Sequence, residues 1–301
     1  MGQKILLIAN PMAGMRKVQR MLPKVIKLFE NNGYEVQYYE TKSRGDGTDA
    51  VIRYADSCDL VVSAGGAGTL NETVTGLMSL DNRPALGYIP AGSTNDFATS
   101  LGLPSDIMKA AKNVVEGSPR LLDIGKINER YFSYVASFGA FTDASYSTPQ
   151  NLKNTLGHLA YVLEGVKELP NIRPRHIKLV SDGEVYEDEW LFGSISNSTS
   201  LGGIVRLNAG LVDFSDGLFE VMLIKNPKNA IEVSKILISL QSRKYDEDFI
   251  TFFRTSDISI TTDGETPWSL DGEYYAGSES IAVKNIHHAI RFITRKDEGG
   301  G

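Results

Sequence analysis

The chain has 301 residues with 42% hydrophobic and 23% charged, enough for one large domain or two ordinary ones with a normal globular core. A net charge of −6 excludes broad electrostatic attraction to nucleic acid or an anionic membrane, so any lipid contact must come from a local patch. The single cysteine, Cys58, excludes an internal disulfide and fits a reducing compartment, and no stretch reaches the roughly 20 apolar residues of a membrane span.

The first 120 residues alternate apolar runs with helical spacing. Lys4 to Ala9 reads as a buried strand, not as a cleavable leader. Val18, Met21, Leu22, Val25, Ile26 and Phe29 then follow helical spacing, stopped by Gly33. Val36 and Tyr38 mark a second strand and Ala50 to Ala55 a second helix. Leu60 to Ala64 is a third strand, Leu70 to Met78 a helix and Ala85 to Ile89 a fourth strand. Ser105 caps a further helix through Val115. Strand–helix alternation of this kind predicts an α/β domain with a doubly wound parallel sheet over residues 1–122.

Beyond Asp123 strands dominate: Tyr131 to Ser137, Ile177 to Val180, Val185 to Phe192, Leu218 to Ile224, Asp257 to Thr262 and Ser280 to Val283. Helices are expected near Asn154 to Leu169 and from Pro227 to Leu240. Residues 123–298 therefore predict an antiparallel β-sandwich domain, with its C-terminal end free to pack back on the first domain. Trp190 and Trp268 read as packing residues. The four histidines show no zinc-like spacing, and His287-His288 reads as the end of a loop. Glu298 to Gly301 reads as a tail outside the fold. A cytoplasmic protein is expected.

Three loops of the first domain follow strands, where ligands bind in an open parallel sheet. They are Asn10-Pro11-Met12-Ala13-Gly14, Gly65-Gly66-Ala67-Gly68-Thr69 with Leu70-Asn71-Glu72 behind it, and Pro90-Ala91-Gly92-Ser93-Thr94-Asn95-Asp96-Phe97. Glycines let a phosphate approach the backbone, and amides at a helix start favour its charge. No Gly-Lys-Ser/Thr follows, so this is not a Walker loop.

Gly65 to Glu72 resembles the GGDGT-x-N-E signature of diacylglycerol and sphingosine kinases. Pro90 to Ala98 is similar to their PAGTxNDFA segment, and Asn10 to Gly14 to their NPxSG opening. Leu122-Asp123-Ile124-Gly125, Phe132 to Ala140, Gly202-Gly203, Asp216-Gly217-Leu218 and Leu270-Asp271-Gly272-Glu273 continue the likeness in order. NAD kinases share the GGDGT element, but Asn71-Glu72, the NDFA segment and the late LDGE match the lipid-kinase branch.

The resemblance implies an ATP-dependent lipid kinase that phosphorylates the hydroxyl of a diacylglycerol-like or related lipid, associating transiently with a membrane surface. ATP would be held by Asn10, Pro11, Met12, Ala13, Gly14, Thr41, Gly65, Gly66, Ala67, Gly68, Thr69, Leu70, Asn71, Glu72 and Thr94. Asp271 or Glu273 would accept the lipid proton. Asp96 and Asp123 would join Glu273 in a water-linked network around catalytic Mg²⁺. Asp216 would bind a second, structural Mg²⁺, helped by the backbone carbonyls of Asp213 and Leu218. A homodimer stays open. The chain departs from the pattern at Ala67, where the family carries an aspartate of the magnesium network, and at Asn208, where it often has proline. Ala67 leaves three alternatives: a divergent active kinase, a nucleotide- or lipid-binding regulator without catalysis, or an engineered inactive form.

Overall fold

In a computed structural model the protein is described over residues 2–139, 174–201, 205–207, 210 and 212–296. The expected helix at Asn154–Leu169, the Gly202-Gly203 pair and Asn208 lie outside the described residues. Two compact units emerge: Met1–Ile124 with His287–Gly301, and Gly125–Ile286. The second unit is thus inserted into the first, which the chain leaves after Ile124 and rejoins at His287.

The first unit is built on β1 (Gln3–Ala9), β2 (Tyr34–Glu40), β3 (Leu60–Gly65) and β4 (Ala85–Pro90), paired in parallel in the order β2-β1-β3-β4. Helices α1 (Ala13–Asn31), α2 (Asp46–Tyr54), α3 (Ala67–Met78), α4 (Asp96–Ser100) and α5 (Ile107–Glu116) connect and cover the strands. Continuous apolar runs are what a sheet covered on both faces demands. Ile5, Leu7, Val62 and Ala64 pack with Val25 and Phe29 of α1 and Ala111 of α5. The alternate residues Leu6, Ile8 and Val61 are equally buried, as strand alternation under a second helical layer requires. Each fully buried Leu or Ile contributes about 1.5–3 kcal/mol. Asp106, rather than Ser105, caps α5, its carboxylate accepting from the Met108 and Lys109 amides. Within α1, Gly14, Met15 and Arg16 adopt left-handed angles, so the regular helix starts only after them.

In the second unit β5 (Ser118–Ile127) enters from the first and pairs with β6 (Arg130–Phe132). There follow β7 (Val135–Gly139), β8 (Arg175–Ser181), β9 (Glu184–Ser196), the short pair β10 (Ser200–Leu201) and β11 (Val205–Arg206), and β12 (Phe219–Lys225). Helix α6 (Ala230–Ser242) precedes β13 (Ile250–Thr255), β14 (Asp257–Thr261), β15 (Trp268–Leu270), β16 (Glu273–Tyr275) and β17 (Ser280–Thr294). Pairing is antiparallel throughout: β16-β15-β7-β9-β8-β14-β17, with β12 joining β9 to β13. Long β9 pairs β8 with its first half and β7 and β12 with its second, the β-rich architecture expected. Trp190 and Trp268 are buried in its core, as read from the sequence.

Two boundaries differ from expectation. Asn229, not Pro227, opens α6: its Oδ1 accepts from the Ile231 and Glu232 amides, while Glu232 reaches back to accept from the Lys228 amide just before the cap. His287 and His288 do not end a loop but lie inside β17, whose polar residues conceal it from a hydrophobic-pattern reading.

Glu220 on β12 has a fully buried side chain paired with Arg254 on β13, Nε to Oε1 at 3.3 Å, while its Oε2 has no hydrogen-bond partner. Burial outweighs Arg254 and pushes this carboxyl up from 4.5 to about 8. The folded state then binds more protons than the unfolded chain between those values, so this contribution is complete below pH 4.5 and lost as pH rises through 8. Relative to Glu220→Gln, the parent should lose on the order of a few kcal/mol across that window, read from denaturant midpoints. Identical pH profiles for the two proteins would refute the assignment.

Candidate active site

The parallel strands deliver their C-terminal ends to one edge, and the expected loops meet there. The Asn10 amide donates to Ala64 O (3.0 Å) and the Ala91 amide to Gly65 O (2.8 Å), tying the first and third loops to the second. The contacts leave little room for side chains. A Cβ on Gly14, at φ +57°, would sit 3.1 Å from Ala91 O, and one on Gly92 3.2 Å from the Gly66 Cα. Asn10 Oδ1 accepts from the Met12 amide, and Asn95 Oδ1 from the Gly92 amide, with Asn95 itself left-handed at φ 54°. Asn95 is therefore a loop-shaping residue, a role that its place in the motif does not reveal.

Helix α3 starts at Ala67 with extended Gly66 before it and no side-chain cap. Its first amides are thus positioned for an anion. Thr41 closes the fourth strand end, its amide bonded to Ala9 O at 3.0 Å, and Thr94 is exposed on the third loop. Two expected ligands face elsewhere. The Leu70 side chain is fully buried in the unit, leaving only its backbone for a ligand. The Glu72 carboxylate accepts from the Gly45 and Gly47 amides, 2.8 and 3.0 Å, and so fixes the loop after β2. Met12, Ala13, Gly68, Thr69 and Asn71 lie on the loops and on the first turns of their helices.

The acidic residues separate by environment. Asp96 is buried at the start of α4, behind the third loop. Asp123, on β5, is 1% exposed, and its Oδ1 accepts from His287 Nδ1 (3.0 Å) and the His288 amide (2.7 Å). In the second unit, Asp271 is buried at the tip of the β15–β16 hairpin with φ 53°. Its Oδ2 accepts from the Ser133 amide at 2.6 Å, and its Oδ1 from Tyr134 and Val135 at 3.0 and 3.1 Å. These amides are the reason the expected Tyr131–Ser137 strand breaks into β6 and β7. With about four lone-pair sites on a carboxylate, three are spent on backbone. Glu273 opens β16 beside it and is half-buried.

Residues 4–127 match the model of the diacylglycerol kinase catalytic domain, and residues 136–293 that of the YegS C-terminal NAD kinase beta sandwich-like domain. A diacylglycerol kinase of Bacillus subtilis (strain 168) is 37% identical over 97% of this chain and 96% of its own length. The chain belongs to the diacylglycerol kinase family. A diacylglycerol kinase of Staphylococcus epidermidis (strain RP62A) is 33% identical, covering 99% of this chain and 94% of its own. Among solved structures, a candidate diacylglycerol kinase from Bacillus anthracis str. Sterne superposes with a TM-score of 0.81 at 27% identity, covering 98% of this chain and 96% of that one. The family makes this a lipid kinase with a nucleotide as phosphoryl donor. No helix among the described residues is long and apolar enough to cross a membrane.

The kinase family implies a divalent metal, and the donor sets differ in how well they suit one. Buried Asp96 beside the glycine loops is an oxygen donor of the kind magnesium takes. Asp123 stands among imidazoles, a mixed set that magnesium does not favour. The Asp216 carboxylate is already engaged by protein groups. Its Oδ2 pairs with the Arg254 guanidinium and its Oδ1 accepts from the Leu218 amide, while Asp213 Oδ1 accepts from the Ser215 amide and hydroxyl. The cation paired with Asp216 is thus the Arg254 guanidinium.

Proposed function

We propose that this kinase transfers the γ-phosphoryl group of ATP to the hydroxyl of a diacylglycerol-like lipid presented at a membrane surface. The observation that carries the reading is the convergence of the loops after β1, β3 and β4, with their backbone amides and the start of α3, at one sheet edge. Phosphoryl transfer needs positioning and charge neutralisation rather than covalent help from protein, and this edge supplies both. The Asn10–Gly14, Gly65–Thr69 and Gly92–Thr94 backbones hold the phosphates, and Thr41 borders the nucleotide. Asp96 would hold magnesium through water, and the ion, when bound, would offset charge on the β- and γ-phosphates. Glu273 accepts the proton of the lipid hydroxyl, because Asp271 has its oxygens engaged by three amides and acts instead as a clamp on the hairpin that carries Glu273.

A second reading, a nucleotide- or lipid-binding regulator without turnover, rests on Ala67. One experiment separates them: labelled ATP and Mg²⁺ with a panel of lipids, plus no-lipid and NAD controls. Lipid-dependent, NAD-independent phosphate incorporation is expected, together with a rise in melting temperature on adding ATP. Nucleotide stabilisation without incorporation into any lipid would favour the regulator. No nucleotide binding by thermal shift and calorimetry at millimolar ATP would sink the kinase and the nucleotide-binding form of the regulator.

A further inference from the structure

Asp123 and the two histidines of β17 form a cluster that magnesium chemistry does not explain. Successive residues of a regular strand point to opposite faces, so adjacent histidines normally cannot share a ligand. Here His288 has φ 52°, and the broken alternation lays its ring against that of His287, centroids 3.6 Å apart and 27° between planes. One ligand atom from each of Asp123, His287 and His288 lies within 4.8 Å of the others. The carboxylate is buried while His287 is about half exposed, 49%, which gives an ion an entry path.

We propose that Asp123, His287 and His288 bind a divalent ion of the zinc class. Two imidazoles and a carboxylate suit zinc, cobalt or nickel, and three protein ligands leave a fourth position for water or another oxygen. Bonds of about 2.0–2.1 Å at a tetrahedral centre place ligand atoms about 3.4 Å apart. The His287 Nδ1–Asp123 Oδ1 distance of 3.0 Å is within a few tenths of that value, so the ion replaces the bridging proton with little movement. His288, on the left-handed position, closes the remaining gap by rotating its side chain. The ligands flank the points at which the chain leaves the first unit, after Ile124, and returns to it, at His287. An ion there fastens the two passages together, a staple between segments far apart in sequence.

The test uses the full chain with Co²⁺ as a visible probe and Zn²⁺ as competitor. Expected is one equivalent of cobalt giving visible ligand-field bands, bleached by zinc but not by excess magnesium, and a zinc-induced rise in melting temperature. Both signals should vanish in His287→Gln/His288→Gln, a pair that keeps the Asp123 carboxylate and replaces two partly or fully exposed rings. His287→Gln alone should weaken cobalt binding at least tenfold, the usual scale for losing a ligand-side partner. Absence of cobalt bands in the parent, or bands and zinc stabilisation that persist in a folded double variant, would overturn the proposal.

Discussion

Ala67→Asp should raise ATP-dependent lipid phosphorylation by about 10²–10³, the effect of restoring a group that stabilises transition-state charge in a closed site, about 3–4 kcal/mol. Ala67 is the first residue of α3, between the glycine loop and the helix. No acidic residue stands in that first turn, so the new carboxylate also gains about 0.3–1 kcal/mol from the helix N-terminus. The opposing term is repulsion of the nucleotide phosphates by a like charge. Without metal that repulsion wins, and ATP should bind the variant less tightly than the parent. With magnesium the added carboxylate gives the ion a second acidic group beside Asp96, and half-maximal activity should come at lower metal concentration. Two proteins, one lipid assay and a magnesium titration suffice. A variant that binds nucleotide as the parent does but gains no turnover moves the defect away from residue 67 and favours the regulator.

Glu273→Gln and Asp271→Asn should fail in different ways. In a chain that turns over lipid, loss of the proton acceptor lowers kcat by about 10²-fold or more while the fold stays intact. Asp271→Asn keeps the shape of the side chain but turns one acceptor oxygen into an NH₂ donor facing backbone amides. It forfeits a charge-assisted hydrogen bond and strands a buried N–H, a cost of about 2–4 kcal/mol. The denaturant midpoint should therefore fall for Asp271→Asn and stay constant for Glu273→Gln. A stable Asp271→Asn without turnover, beside a fully active Glu273→Gln, would exchange the two roles.

What the sequence made readable is what lies close together along it. In the first unit β1 and β3 are largely apolar runs that lead into glycine-bearing loops, so Ile5–Ile8, Val61–Ala64 and the loops behind them could be placed by pattern. The loops' convergence was inferable because each follows a parallel strand. What stayed hidden depends on partners far away. The Asp271 carboxylate meets amides about 137 positions earlier, and Asp123 meets His287 across 164. Arg254 reaches Asp216 and Glu220 only through the β12–β13 register. Strands β15 and β16 have three residues each, too few for a period to be recognised. Asp106 and Asn229 took caps expected of Ser105 and Pro227, because competing cap signals within a few residues are settled by packing rather than by local preference.

The insertion of one unit inside the other has a consequence for how the chain is made. In the first unit, β4 finds its outer neighbour only in the last strand: Leu86 pairs with Phe292, Phe97 packs edge-on against Phe292, and Arg83 Nη1 donates to Ala289 O, 206 residues away. A ribosome releases the glycine loops early, yet the sheet that holds them stays open until the second unit has emerged. At about 5–20 residues per second, that interval is roughly 10–40 s. During it the flank of β4 is an unpaired edge, the kind of surface that recruits foreign strands. The inserted β domain, whose strands pair largely with one another, can meanwhile fold, so the first unit, first in synthesis, is the last to be finished.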